Sequence, residues 1–320
     1  MKLKDILSFD SNFCVLPFIH KHITTDKKQK LCCISNDTID DTRLVEIQSD
    51  MLDNKTIPEC VRCKARETQK IFSERQFHNK EWLTKFPEET REAIIEPTTL
   101  YYDLRYSNLC NLTCQTCDST ASSSWAEKLG EDSKFFSWEP DVDINPEAKK
   151  IYLAGGEPFL IKSFSKILNE IENKDCEIVI NTNATILTNH MIEALRPFSN
   201  VCFTLSIDGV GPVIERIRSG CKWETILKNI DTLQEELSPS FMVNTVLQKD
   251  NIDDIPNLAK WIDDAGIEIW HTTLLIRPEQ YSYVHYNGDI DWDNDLWQRE
   301  CVKNNIQVNN TLSVVHKNLS

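Results

Sequence analysis

Glycine is nearly missing from this chain, with 8 residues in 320 against a usual share of about 7%. Where so sparing a sequence sets two glycines side by side, at Gly155 and Gly156, the backbone is expected to turn sharply or approach something closely. Basic charge is also short, with 35 Lys and Arg against 50 Asp and Glu. That balance argues against tight nucleic-acid binding, because a surface that tracks phosphates needs the opposite sign. No apolar run approaches bilayer-spanning length. The opening MKLKDILSFD has no apolar core of the kind a secretory signal requires. There is no internal repeat or low-complexity tract. These absences leave a cytoplasmic protein with no membrane partner as the expectation, long enough for one large domain or two unequal ones.

What the chain does have is cysteine, 12 in all. In a reducing compartment thiols serve as metal ligands or buried core residues more than as disulfides. Cys14, Cys32, Cys33, Cys60 and Cys63 fall in the first fifth, and Cys110, Cys114 and Cys117 stand together. Cys176, Cys202, Cys221 and Cys301 are scattered among apolar neighbours and read as small core residues.

Residues 1–70 show no sustained period. Residues 71–97 turn charged and helical, as a linker, until Pro97 interrupts. Apolar, β-rich segments then alternate with amphipathic ones. The strands are expected at 100–107, 150–155, 177–183, 201–208, 241–248 and 267–275, with helices at 119–129, 161–173, 188–196, 223–236 and 253–265. Six strands alternating with helices predict a parallel α/β sheet. Six are too few for a closed eight-stranded barrel, so a partial (β/α)6 barrel over 98–275 is expected, with ligands at the C-terminal ends of its strands. Residues 276–320 read as a tail with one weak helix near 293–303.

The segment YSNLCNLTCQTCDST poses the chemical question, because common cysteine sites for zinc or a 4Fe–4S cluster use four ligands. Either a fourth ligand lies elsewhere or the site is left open for something else to bind. Three thiolates can hold three irons of a cube and leave the fourth open to an amine and a carboxylate. The C-x3-C-x2-C spacing of Cys110, Cys114 and Cys117 after the first strand resembles the radical S-adenosylmethionine (radical SAM) superfamily. So does YLAGGEPFL, which matches its GGEP element. The resemblance implies that Gly155, Gly156 and Glu157 receive the ammonium group of S-adenosyl-L-methionine. It also implies that Asn181 and Asn183, and Ser206 and Asp208, at the next two strand ends, serve its ribose and carboxylate. Arg216 or Arg218 would pair with that carboxylate, and Asn244 would lie where some members contact the cofactor. Thr116 departs from the pattern, since the residue before the third cysteine is often apolar or aromatic and packs on the adenine.

The first cysteine group resembles the auxiliary-cluster region called SPASM or twitch, here preceding the barrel. Cys14, Cys60, Cys63 and one of Cys32 and Cys33 would hold a second 4Fe–4S cluster, the other of the adjacent pair being spare. Four thiolates suit zinc equally well. His20 and His22 read as surface residues on a hairpin. The resemblance implies an enzyme that reductively cleaves S-adenosyl-L-methionine and abstracts hydrogen from a peptide or small molecule, giving net oxidation or a cross-link. It also implies a low-potential donor such as flavodoxin or ferredoxin. A non-catalytic iron–sulfur electron carrier, or a zinc-stabilised binding module on the same fold, is the alternative. Trp270, His271, Arg277, Tyr281 and Tyr283 are candidates to line a substrate cavity, with a buried aromatic edge as the plainer reading.

Overall fold

The computed structural model describes residues 6, 8–68, 72–131, 134–139, 141–274, 281, 306–308 and 313–317. In chain order the strands are β1 (His20–Ile23), β2 (Gln29–Lys30), β3 (Tyr101–Leu104), β4 (Thr113–Cys114), β5 (Lys150–Leu153), β6 (Glu177–Thr182), β7 (Val201–Ser206), β8 (Arg218–Ser219), β9 (Ser240–Leu247), β10 (Ile269–Leu274), β11 (Ile306–Val308) and β12 (Ser313–Lys317). Ten of them form one sheet, ordered β11-β12-β10-β9-β7-β6-β5-β3-β1-β2. All six expected strands are present, and every pairing among them is parallel.

The sheet also holds a strand from the first cysteine region. β1 lies parallel to β3, with His20 opposite Tyr101 and His22 opposite Asp103. β2 folds back on β1 as a hairpin. Helix Asp41–Leu52, started by the Asp40 side chain accepting from Arg43 N, also lies in this region and buries Ile47 and Met51. At the other edge β12 pairs antiparallel with β10. The helix expected near 293–303 lies outside the described residues, as do Arg277, Tyr283 and Cys301.

Alternation along the strands sorts side chains to two faces. One face carries Tyr102, Leu104, Ile151, Leu153, Ile178, Ile180, Phe203 and Leu205. It packs under the helices Phe164–Asn169, Asn189–Leu195, Trp223–Leu237 and Ile255–Asp264 as the main core. Helix Ile255–Asp264 buries Ile255, Leu258, Ala259 and Ile262, the helical spacing visible in the sequence. The other face is polar and half open, with Arg105, Tyr152, Asn181, Ser206, Asn244 and His271 partly exposed. A second core joins Phe13, Cys14, Leu16, Phe18, Ile19, Ile47, Met51 and Trp82 to Leu100 and Tyr101 of the first barrel strand.

The segment 71–97 is helical, as Glu74–Lys85 and Pro87–Ile95. Ser73 starts the first of these with a reciprocal capping box to Gln76. That helix buries polar residues, Arg75 and Asn79 among them. Asn79 accepts from Val15 N at 2.7 Å and donates to Phe13 O at 2.9 Å. Arg75 donates to the carbonyls of Ile6, Ser8 and Phe13 at 2.9 Å each. The backbone on both sides of Cys14 is thus fixed by this helix, which does more than connect.

Candidate functional site

The three-cysteine loop leaves β3 at the C-terminal end of the sheet and is tied down at several points. Asn108 is fully buried. It donates to Thr120 O at 3.1 Å and Lys134 O at 2.7 Å, and accepts from Phe136 N at 2.9 Å. Ser122, the cap of helix Ser123–Leu129, donates to Leu112 O at 2.7 Å. Trp125 Nε1 donates to Cys114 O at 2.9 Å. β4, which contains Cys114, pairs with β8, which contains Arg218. Nothing in the sequence marked Asn108, because a buried structural asparagine has no distinctive spacing.

The glycine pair explains itself here. A Cβ on Gly156 would stand 2.2 Å from Leu109 O and 2.6 Å from both Asn108 C and Asn108 O. One on Gly155, whose φ is +126°, would stand 2.4 Å from Ser107 O. Gly156 N donates to Ser107 O at 2.9 Å and Glu157 N to Leu109 O at 2.7 Å. The close approach is therefore to the cysteine loop itself.

Glu157 is 1% exposed. Its oxygens accept from Thr182 Oγ1 at 2.8 Å, Asn183 N at 2.8 Å and Phe159 N at 3.2 Å. Burial nevertheless dominates and pushes its carboxyl up to about 7, the hydrogen bonds opposing. A cation placed beside it would relieve that penalty. Asn183 is buried and donates to Asn111 Oδ1 at 3.1 Å, which ties the end of β6 to the cysteine loop.

Asp208 is fully buried behind the strand ends. It accepts from Val246 N at 2.7 Å and pairs with Arg218 Nε at 2.8 Å. Arg218 in turn brings a second guanidinium nitrogen to 4.0 Å from Cys114 Sγ. Cys117 is drawn below the usual thiol range by the hydrogen bond from Cys114, against burial and with help from Arg218. A buried guanidinium beside thiols that must become thiolates is the electrostatics an anionic iron–sulfur site needs. The donor set therefore fits such a cluster. Arg216 is exposed and donates instead to Asp250 O at 2.8 Å.

On the open face, Ser206 Oγ lies 3.3 Å from Asn181 Oδ1, and register sets Ser206 opposite Asn244 and Asn244 opposite His271. These form a polar row below the cysteine loop. Trp270 belongs elsewhere: it is 1% exposed in the main core and donates to Thr245 Oγ1 at 2.8 Å. Among the five proposed cavity residues it is the buried aromatic edge. Tyr281 is half-buried, and its carbonyl accepts from Lys249 N at 2.9 Å. Thr116 is half-buried. A depression of about 630 Å³ lies at the opposite ends of the strands, lined by Lys149, Glu177, Asn200 and Ser240, remote from the cysteine loop.

In the N-terminal region Cys14, Cys32, Cys60 and Cys63 line one cavity, with Glu74 and Arg75. Burial pushes Cys14 well above the thiol range, with Cys60 the next contributor. Burial likewise raises Cys60 to about 12 and Cys63 to about 11. A metal bound there would have to displace those protons. Two measures of this cavity differ. Its volume, about 20 Å³, suits a single small occupant. Yet the one group of three or more ligand-type atoms within 4.8 Å of one another, among the described residues, is made by other side chains. Ligands on one zinc would lie about 3.8 Å apart with bonds of about 2.3 Å. No three of these four thiols come within 4.8 Å of one another, so as they stand they do not form the ligand set of a single zinc.

Cys33 is not part of that cavity. It is exposed. His20 and His22 correct the sequence reading. They are 8% and 2% exposed, on the inner strand of the β1–β2 hairpin and not on the surface. Burial drives His20 down to about 3, with Asp103 opposing. Burial alone would raise Asp103, but Arg105 and His22 together hold it well below the usual carboxylate range.

Three thiols on one loop, docked by a glycine pair at the C-terminal end of an open parallel barrel, define a class of proteins that hold a metal cluster above a polar concave face. Residues 104–262 match the Radical SAM superfamily, and the chain belongs to that superfamily. It is 29% identical over 205 residues to the tungsten-containing aldehyde ferredoxin oxidoreductase cofactor-modifying protein of Pyrococcus furiosus, covering 60% of this chain and 56% of that one. It is 28% identical over 193 residues to the AdoMet-dependent heme synthase of Methanosarcina barkeri, covering 57% and 54%. The chain spans about half the length of these curated relatives. Among solved structures, Streptococcus suis SuiB aligns with a TM-score of 0.45 at 15% identity, covering 88% of this chain and 64% of that one. No helix among the described residues is long and apolar enough to cross a membrane.

Proposed function

We propose that this chain is a radical SAM enzyme in which Cys110, Cys114 and Cys117 hold a 4Fe–4S cluster with one iron left to S-adenosyl-L-methionine. The observation that carries the reading is the docking of that loop on Gly155, Gly156 and Glu157 above a half-open polar face. Cluster and cofactor together supply a 5′-deoxyadenosyl radical for hydrogen abstraction. The protein's own part is to bind, orient and exclude water. Asn181, Ser206 and Asn244, half-exposed on the concave face, are the side chains available to the cofactor directly. Glu157, Asn183, Asp208 and Arg218 are buried. They act by setting the loop, balancing thiolate charge and, for Glu157, giving a cationic group a partially ionised neighbour.

The same reading assigns Cys14, Cys32, Cys60 and Cys63 to an auxiliary 4Fe–4S cluster of the twitch type, with residues 1–70 as its region and 98–275 as the barrel. All four thiols line one cavity beside the first barrel strand's core, which must widen from its about 20 Å³ to admit a cluster. A redox-active centre there can take up the substrate electron, which zinc cannot. That favours net oxidation or a cross-link on a peptide or small molecule, with reducing electrons from a flavodoxin or ferredoxin in the cytoplasm. The test is anaerobic reconstitution with iron and sulfide, followed by dithionite and S-adenosyl-L-methionine. Release of 5′-deoxyadenosine that vanishes in Cys110→Ala/Cys114→Ala/Cys117→Ala is expected. Equal release by that triple variant would overturn the assignment.

A further inference from the structure

His20 and His22 alternate with Lys21 on β1, so both rings take the same face of the sheet. Register on β3 sets Asp103 opposite His22. One ligand atom from each of the three lies within 4.8 Å of the other two. The set is buried, at 8%, 2% and 2% exposure, and it is under-satisfied. Neither ring nitrogen of His20 has a hydrogen-bond partner, nor does Nδ1 of His22. His22 Nδ1 stands 2.8 Å from Asp103 Oδ2, the one group it faces at that distance. Two such ligands at the tetrahedral angle on one zinc, with bonds of about 2.0–2.1 Å, lie about 3.3 Å apart, so the pair opens by about 0.5 Å to admit the ion. Buried imidazole nitrogens left without partners are uncommon, because losing water without replacement is costly.

The neighbours hold the group in place. The His20 ring lies against Tyr101, with centroids 4.4 Å apart. Arg105 reaches Asp103 with Nε at 3.2 Å from Oδ1 and a terminal nitrogen at 3.3 Å from Oδ2. Each carboxylate oxygen has two lone pairs, so Oδ2 retains capacity beyond Arg105. Two imidazoles and one carboxylate with a fourth position free is the composition of open zinc sites, and imidazole nitrogen favours zinc over the harder divalent ions.

We propose that His20, His22 and Asp103 form a third metal site, for one divalent zinc-like ion, separate from both cysteine sets. It occupies the sheet face that also carries the polar row, at its β1 edge, and offers an anionic or carbonyl group a Lewis-acid anchor there. The inference does not rest on cofactor cleavage, so it stands or falls apart from the radical reading.

The test uses reconstituted holoprotein dialysed against micromolar Zn2+, with zinc and iron per chain from elemental analysis and the ligand shell from zinc-edge X-ray absorption. About one zinc more than in His20→Gln/His22→Gln is expected, at equal iron. Its nearest shell should be nitrogen and oxygen at about 2.0–2.1 Å. Equal zinc in the two proteins would overturn the proposal, as would a wild-type shell made only of sulfur at about 2.3 Å, or no retained zinc. If the double variant does not fold, the wild-type content and shell decide alone.

Discussion

Gly156→Ala isolates the docking of the cysteine loop from backbone strain, because only Gly155 of the pair has a positive φ. The new methyl would stand 2.2 Å from Leu109 O, a distance real Cβ atoms essentially never show, and 2.6 Å from Asn108 O. The loop backbone must retreat by about 1 Å to reach ordinary contact. Such a retreat strips Gly156 N from Ser107 O and Glu157 N from Leu109 O. Two hydrogen bonds at about 1 kcal/mol each and an overpacking cost of about 1–3 kcal/mol make a local loss of roughly 3–5 kcal/mol. If the loop undocks without global unfolding, its docked population falls by more than 100-fold, since each 1.4 kcal/mol is tenfold. The auxiliary cysteines serve as the internal reference. Iron bound through Cys110, Cys114 and Cys117 should drop, and 5′-deoxyadenosine release with it, while N-terminal metal stays. A variant that loads iron, binds the cofactor and melts as the wild type does would refute the claim that these glycines exist to let the loop in.

Further outcomes follow from the same geometry. Arg218→Gln leaves the Asp208 charge buried and unpaired and should cost about 3–5 kcal/mol. Arg218→Gln/Asp208→Asn should regain much of the melting temperature but still load less iron on the Cys110 loop; equal loading would mean Arg218 has no electrostatic role there. Cys32→Ser should lose the auxiliary metal and Cys33→Ser should keep it, read as metal per chain, with the reverse result moving Cys33 into the site. Glu157 supplies a pH effect. Its folded value, raised from 4.5 to about 7, favours the protonated form, so its contribution is complete below about 4.5 and lost as pH rises to about 7. The loss amounts to roughly 3 kcal/mol. The melting difference between wild type and Glu157→Gln in the cofactor-free protein should therefore change across that window, and a flat difference would exclude the shift.

The barrel strands were legible because each is an apolar run with one face fully buried, as in EIVINT and VCFTLS. β1 was not, since HKHI places histidines where a strand signal wants apolar alternation, and its partner β3 is remote in sequence. Helix Asp41–Leu52 did carry a period in Leu44, Ile47 and Met51, diluted by charge. Cysteine spacing picked out both cysteine groups, but spacing could not separate Cys32 from Cys33, because neighbouring residues diverge only in three dimensions. The scarcity of glycine correctly marked Gly155 and Gly156 as a close approach. What approaches, the backbone of residues 107–109, was beyond any local pattern. Asn79, Asn108 and Arg75 were invisible for a related reason: their value lies in carbonyls far along the chain.

How the two regions are joined sets a last expectation. Cys14 precedes β1, Cys32 follows β2, and beyond helix Asp41–Leu52 Cys60 ends the short turn Pro58–Cys60 and Cys63 lies in the first turn of helix Val61–Thr68. The auxiliary cavity thus brackets the very strands that extend the barrel's edge, and its residues pack in the second core, which meets the barrel at Leu100, Tyr101 and Tyr152. The main core beneath the barrel helices is a separate cluster. On the proposed reading, removing the auxiliary metal leaves Cys14, Cys32, Cys60 and Cys63 without the ion that holds them, and the loss should stay within the second core. In Cys60→Ala/Cys63→Ala, amide exchange should accelerate in β1, β2 and helix Glu74–Lys85, while β6, β7 and β9 keep wild-type protection. Because β1 borders β3, the strand that leads into Cys110, β3 should show an intermediate effect. If protection falls evenly across all parallel strands, the two cores unfold as one unit and the N-terminal region is part of a single cooperative barrel.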